Sequence, residues 1–389
     1  MSELSLNHIK HLAEEIGPRG SCTEAERKAH EYCRKVLGDL KYDVHWEVFR
    51  SPLSAWLPYA LATGIVLGAT LLSLIERIGP LVAAALTILA LVSFFRLVMH
   101  RDNPLLWLLP VGESQNVWAK AASKGETKRT VVIDGHVDTH RTAWAMSGKG
   151  PFTFLQALTT AGTVAIIALL VVFVVRIFAP SDALRTVSLA LGAVVLVAFV
   201  VVLLPEFTKY VPGGNDNATG AATVLDFAAR LKKTPLQNTE VYFLLSGCEE
   251  VGACGTAAFV KTHPELADAD YLVLDSIGGA ESKPYYVLDE TLLLPIKSDP
   301  GLVSVAREVA AQNGDARALP KNFRGAYTDM SPVSAAGQRG IAFVNYRPSD
   351  GMIPHWHQQS DTAANVDADV LAETQEYIWE VLQALDAAA

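Results

Sequence analysis

Four long apolar runs, arranged as two close pairs, constrain this 389-residue chain more than any other feature. Pro52–Ile75 holds no charged residue, Glu76-Arg77 interrupts the run, and Ile78–Phe95 resumes it. Pro151–Val175 and Thr186–Leu204 repeat the design around a polar break at Arg176–Arg185. A bilayer core needs about 20 apolar residues per helix, and buried helices of soluble proteins are seldom this long and free of charge. The runs therefore predict two transmembrane hairpins, over 52–96 and 151–205, with membrane lipid as their surroundings.

An even number of crossings leaves every polar segment on one side. Residues 1–51, 97–150 and 206–389 are thus expected to fold together as one domain. Cations flanking the spans on the domain side (Arg50, Arg96, Arg101, Lys149, Lys209) outnumber those of the distal turns (Arg77, Arg176, Arg185). The positive-inside rule then favours a cytoplasmic domain. The polar opening, Ser2–Arg50, lacks the basic-then-apolar pattern of a secretory signal and agrees. Cys22, Cys33, Cys248 and Cys254 show no CxxC pair and read as free thiols, which fit a reducing compartment. A formal charge of −9 without any basic run excludes a nucleic-acid partner.

The polar segments read as an α/β chain. Leu6–Gly17 and Thr23–Gly38 are predicted helices, the second opened by a Thr23/Glu26 capping box and stopped at Gly38. Ala25, Ala29, Tyr32, Cys33 and Val36 give it one apolar face. Tyr42–Phe49 alternates as a strand. Thr130–Asp134, Thr239–Ser246, Tyr271–Leu274 and Ile341–Tyr346 are short apolar runs of the buried-strand type. Helical patterns at Thr219–Lys232, Gly301–Gln312 and Val370–Leu385 lie between or after them. Such alternation implies layered α/β architecture around a largely parallel sheet.

Acidic and imidazole residues gather where those strands end, which is where open α/β sheets build their sites. Asp134-Gly135-His136-Val137-Asp138-Thr139-His140 follows one strand, Cys248-Glu249-Glu250-Val251-Gly252 another, and Asp275 a third. Gly213-Gly214-Asn215-Asp216-Asn217 opens a helix, and His355-Trp356-His357 precedes Asp361-Thr362. Each signal alone is weak; Asp216, for instance, would also serve as a helix cap. Together they form an N/O donor set suited to zinc or a related divalent ion. Adjacent Glu249 and Glu250 would repel if buried without a cation, whereas a metal ligand beside a general base explains the pair.

These motifs resemble metallopeptidase family 28, the co-catalytic di-zinc aminopeptidases and their carboxypeptidase and glutaminyl cyclase relatives. Ile16-Gly17-Pro18-Arg19-Gly20-Ser21 is similar to the family's first helix boundary. Asp329-Met330-Ser331-Pro332, with Gly340-Ile341-Ala342, resembles a further signature. The resemblance implies a three-layer α/β/α zinc-exopeptidase domain with a mixed, mostly parallel sheet, here interrupted by the two hairpins. It implies that two zinc ions are held by His136, Asp216, Glu250, Asp275 and His357, with Asp216 bridging. Glu249 matches the general base and Asp138 a carboxylate that orients His136. His355 competes with His357, which is favoured by its spacing to Asp361-Thr362. His140 is assigned to the pocket wall or surface.

The implied activity is hydrolysis of short peptides, most simply as an aminopeptidase, with carboxypeptidase or glutaminyl cyclase chemistry as alternatives. An inactive receptor on this fold would have lost ligands, and here every position is filled. Trp356 stands where several relatives carry a tyrosine that helps the oxyanion. Its indole N–H, Tyr327 or Tyr346 could take that part.

Overall fold

The computed structural model describes residues 2–75, 78–292, 294–312 and 317–389; the interrupting pair Glu76-Arg77 lies outside them. In chain order, helix α1 (Ser2–Lys10) runs into a π-helical turn and then α2 (Glu24–Asp39), β1 (Val44–Pro52), α3 (Leu57–Leu72) and α4 (Gly79–Val98). Strands β2 (Val111–Ala121) and β3 (Arg129–Asp134) precede α5 (Lys149–Phe178) and α6 (Asp182–Leu203). Next come α7 (Ala218–Lys233), β4 (Thr239–Leu245), α8 (Cys254–Thr262) and β5 (Asp270–Asp275). β6 (Lys283–Thr291), β7 (Pro295–Lys297), α9 (Pro300–Ala311) and β8 (Leu319–Arg324) follow. The chain closes with α10 (Met330–Ala335), β9 (Arg339–Tyr346) and α11 (Ala368–Ala387).

Packing divides the chain into two compact units. One comprises Met1–Leu53, Val111–Thr142 and Lys209–Ala389; the other comprises Ser54–Pro110 and Ala143–Thr208. Compared with the segments read from hydropathy, residues 97–110, 143–150 and 206–208 go with the apolar helices, and 52–53 go with the polar segments.

The first unit is an α/β domain on a mixed nine-stranded sheet, ordered β1-β2-β4-β3-β5-β9-β6-β7 with β8 beside β6. Its parallel character is concentrated in the centre, where β4, β3, β5 and β9 run side by side. The flanks are antiparallel at β1–β2, β2–β4, β9–β6 and β6–β7. Val131 and Ile133 join one buried cluster with α2, α7, α9 and α11, while Val132 joins another with α8 and α10. This alternation follows from the two-residue period of a strand and places helices on both faces of the sheet.

The second unit consists of α3 to α6. Among the described residues three helices are long and apolar enough to cross a membrane: Gly79–Val98, Lys149–Phe178 and Asp182–Phe207. Of the four predicted spans, the first is shorter than its apolar run. Pro52 is still paired with Val111 in β1, and Ser54 Oγ accepts from Trp56 N and Leu57 N at 2.9 Å each, so the helix starts only at Leu57. Its 16 residues span about 24 Å at the helical rise, short of the ~30 Å hydrocarbon layer.

The polar break at Arg176–Arg185 is also narrower than predicted. α5 continues through Arg176, whose buried guanidinium donates to Ser73 O at 2.8 Å, Ser73 Oγ at 3.0 Å and Ser188 Oγ at 3.3 Å. The interior of this unit is rich in small residues, including Ala69, Ala83, Ala84, Ala90 and Ala165. Val66, Leu169, Phe173 and Val195 are buried among them, while many other large apolar side chains face outward, with Val164 61% and Val171 57% exposed. Small residues at helix–helix contacts let the backbones approach closely, a feature enriched among helices that associate within lipid.

Candidate metal centre

Three adjacent parallel strands, in the order β4–β3–β5, bring their carboxyl ends together. β3 leads into His136, Asp138 and His140; β4 leads into Glu249 and Glu250; β5 ends on Asp275. Asp216 arrives just before α7. The cap of that helix is Asn217, whose Oδ1 accepts from Gly220 N at 2.9 Å, so the Asp216 carboxylate is not spent on capping. Asn217 Nδ2 also donates to Leu274 O at 2.7 Å, tying the helix start to the end of β5. His357 comes from the loop after β9. Four residues on, Asp361 accepts from Asn215 N at 2.7 Å and from Asp216 N at 3.0 Å, so the H-x-x-x-D spacing grips the Asp216 loop.

The predicted ligands converge. His136 Nε2 lies 3.5 Å from Asp216 Oδ1 and 4.0 Å from Asp275 Oδ1. His357 Nε2 lies 3.2 Å from Asp216 Oδ2 and 3.2 Å from Glu250 Oε2. One carboxylate thus faces both imidazoles, one oxygen each. Among the described residues two candidate cation clusters result, His136/Asp216/Asp275 and His140/Glu250/His357, all buried. Glu249 Oε2 stands 3.9 Å from His136 Nε2. His355 stays outside, partly exposed and bonded through Nδ1 to Ser360 Oγ at 2.8 Å.

The donor set fits divalent cations. His136 Nε2, Glu249 Oε1 and Glu250 Oε1 are buried without a hydrogen-bond partner, which is costly unless a ligand engages them. Burial pushes the Glu249 carboxyl well up, Glu250 to about 7 and Asp275 to about 6. Burial pulls His357 down, but Glu250 and Asp216 outweigh it and hold the imidazole up at about 10. So many acids gathered out of water demand positive charge, and imidazole-plus-carboxylate sites of this kind suit zinc and its neighbours.

Asp138 does more than the reading above assigned to it. His136 Nδ1 donates to the main-chain carbonyl of Asp138 at 3.2 Å, while the carboxylate Oδ1 stands 3.5 Å away. The carboxylate also accepts from Ser21 Oγ at 2.6 Å and from the amides of Glu249 and Glu250 at 3.0 and 3.2 Å. It thus stands beside His136 and also holds the two glutamates in place.

Several residues make contacts that the sequence did not assign. His140 is buried, and its ring lies flat on His357, with centroids 3.9 Å apart and 12° between planes. Two imidazoles stacked this closely cannot both aim an in-plane lone pair at one ion. The stack makes His140 a support for His357, and its only sequence signal is its place two residues after Asp138. Arg19, fully buried, donates to the carbonyls of Leu12, Gly17, Val137, Pro212 and Gly213 and so knits the loops bearing His136 and Asp216. Gly213, with φ +66°, leaves no room for a Cβ beside Thr139.

Glu26 is only half of the predicted capping box. Thr23 caps α2, but the Glu26 carboxylate accepts from Cys22 N at 2.7 Å, Cys248 N at 2.9 Å and Ser114 Oγ at 2.9 Å. Among the oxyanion candidates, the Trp356 indole packs near Phe323 and His357. The Tyr346 hydroxyl is buried without a hydrogen-bond partner, its pKa raised by burial and by the charge of Asp275.

The fold is similar to those of several solved enzymes. A zinc aminopeptidase from Bacillus subtilis shares it at 15% identity and TM-score 0.58, covering 98% of this chain and 94% of its own. An aminopeptidase from Aneurinibacillus sp. strain AM-1 does so at 15% and 0.59, with 98% and 93% covered. Porphyromonas gingivalis glutaminyl cyclase matches at 15% and 0.58, with 100% and 99% covered. No curated protein sequence matches significantly. Fold and family match together support a metallo-exopeptidase, a hydrolase of peptide bonds. The model of Peptidase family M28 matches residues 199–382, just under half of the chain. That segment contains Asp216, Glu249, Glu250, Asp275 and His357; His136 and Asp138 precede it.

Proposed function

We propose that this protein is a membrane-embedded, zinc-dependent aminopeptidase acting on short peptides. The observation that carries the reading is the Asp216 carboxylate, with one oxygen toward His136 and the other toward His357. His136, Asp216 and Asp275 would hold one ion, and Glu250, His357 and Asp216 a second. Two zinc or related ions held there would lower the pKa of a water toward ~7 and polarise the scissile carbonyl. Glu249 takes a proton from the attacking water and returns it to the leaving amine. Glu250, facing His357, is committed as a ligand. Asp138 fixes both glutamates through their amides, and Arg19 and Asp361 hold the loops that meet at the site.

The test is a substrate panel of amino-terminal, carboxy-terminal and amino-terminal glutaminyl peptides, run with added zinc or cobalt alongside metal analysis. The expected result is about two divalent ions per chain and release of amino-terminal residues, abolished by a chelator and restored by zinc. Full activity in rigorously metal-free protein would exclude the two-metal reading. Ring closure of the glutaminyl peptides alone would move the chain to the glutaminyl cyclase chemistry of some structural neighbours.

The helical unit supports membrane insertion through its outward-facing apolar side chains, and the flanking cations favour a cytoplasmic catalytic domain. The protein should remain in the membrane pellet after alkaline carbonate extraction and require detergent for release. Recovery as a monodisperse protein without detergent would rule out insertion.

A further inference from the structure

We propose that Cys22 and Cys248 form an oxidative modification site, a thiol pair that peroxide or a low-molecular-weight disulfide converts to a disulfide, impairing the adjacent Glu249-Glu250 loop. The loss of activity rests on the roles proposed above for those glutamates; the thiol chemistry does not.

The two thiols are 226 positions apart in sequence, yet their sulfurs lie 3.5 Å from each other. A disulfide needs about 2.05 Å, so an approach of roughly 1.5 Å closes the bond. One carboxylate sets the pair side by side: Glu26 accepts from Cys22 N through Oε2 and from Cys248 N through Oε1. Both residues have left-handed backbone, φ 60° and 54°, which is uncommon for residues other than glycine. Cys22 is partly exposed and so open to a small oxidant, whereas Cys33 is buried. Cys254 Sγ is directed to Val251 O at 3.9 Å.

With hydrogen peroxide, the Cys22 sulfur attacks one peroxide oxygen; the O–O bond breaks and water leaves, giving a sulfenic acid. The Cys248 sulfur then attacks the Cys22 sulfur. The S–O bond breaks, and the thiol proton leaves with the hydroxide as a second water. Two thiols and one peroxide become one disulfide and two waters. Glutathione disulfide reaches the same product by two exchanges that release two glutathione thiols, and a dithiol reductant reverses either route.

The consequence follows from position. Cys248 directly precedes Glu249, and the amides of Glu249 and Glu250 are held on Asp138. Drawing Cys248 toward Cys22 pulls on that anchored loop, and a displacement of about 1 Å in a catalytic constellation costs on the order of 10²-fold in rate.

The experiment uses detergent-purified full-length protein carrying its metal, treated with limiting hydrogen peroxide or glutathione disulfide. Non-reducing peptide mapping, titration of free thiols and peptide hydrolysis are then measured. The expected result is a Cys22–Cys248 cross-linked peptide, a fall from four titratable thiols to two, and turnover reduced about 10–100-fold. Dithiothreitol should restore it. Cys22→Ser should keep the activity of the reduced protein and resist the oxidant, with Cys22→Ala as a second form should serine disturb folding. Oxidised protein lacking the cross-link, or Cys22→Ser inactivated as fast as the parent, overturns the proposal. If reduced parent protein hydrolyses no peptide, the aminopeptidase reading fails instead, and the cross-link map still decides the thiol pair.

Discussion

Glu249→Gln is expected to retain both metal ions and lose turnover by about 10²–10⁴-fold, the usual contribution of a positioned general base. The amide matches the carboxylate in shape and cannot accept the proton. Like Glu250, Glu249 has its Oε1 buried without a partner and its amide fixed on Asp138. The pocket should therefore keep its form when the base is removed. Metal content by mass spectrometry and kcat on an amino-acyl peptide separate the two properties. A variant with normal ions and near-normal kcat would remove Glu249 from the mechanism; one that loses its ions would make it a ligand.

His357→Ala should lose affinity for one ion by more than about 100-fold, beyond the ~10–100-fold typical of supporting residues, and lose activity with it. His355→Ala should change both by no more than a few-fold. The contrast rests on placement. The His357 imidazole is 3.2 Å from both Asp216 and Glu250, whereas the His355 ring turns outward to Ser360. Metal titration of the two variants decides it, and reversed behaviour would show that the wrong histidine had been assigned.

The central strands were legible because each is a short apolar run that packs helices on both faces. β3, β4, β5 and β9 extend one or two residues beyond the runs read from sequence, or end one short. β2 escaped because hydropathy does not mark it: Ser114, Gln115 and Asn116 are buried in its middle. Their side chains meet Glu26, His30 and Gly255 across the packing of α2 and α8, partners visible only after folding. β6 escaped for a related reason, as a flanking strand of mixed polarity whose pairing with β9 is antiparallel. The omission of such strands is why the sheet looked more uniformly parallel in sequence than it is.

What the sequence by itself determined is the donor inventory and its order along the chain. The resemblance to metallopeptidase family 28 singled out His136, Asp216, Glu249, Glu250, Asp275 and His357, and the clusters that hold them stood out because they follow strands or open a helix, which are local properties. The four apolar runs were visible for the same reason. Only the tertiary structure decided what each group does for its neighbours. It gave Asp138 the glutamate amides as well as His136, stacked His140 on His357, and drew Arg19 inward to five carbonyls. It also set two thiols 226 residues apart at 3.5 Å. These are long-range contacts between side chains and main-chain atoms. No spacing rule encodes them, because they depend on where separate loops meet once the sheet has ordered its strands.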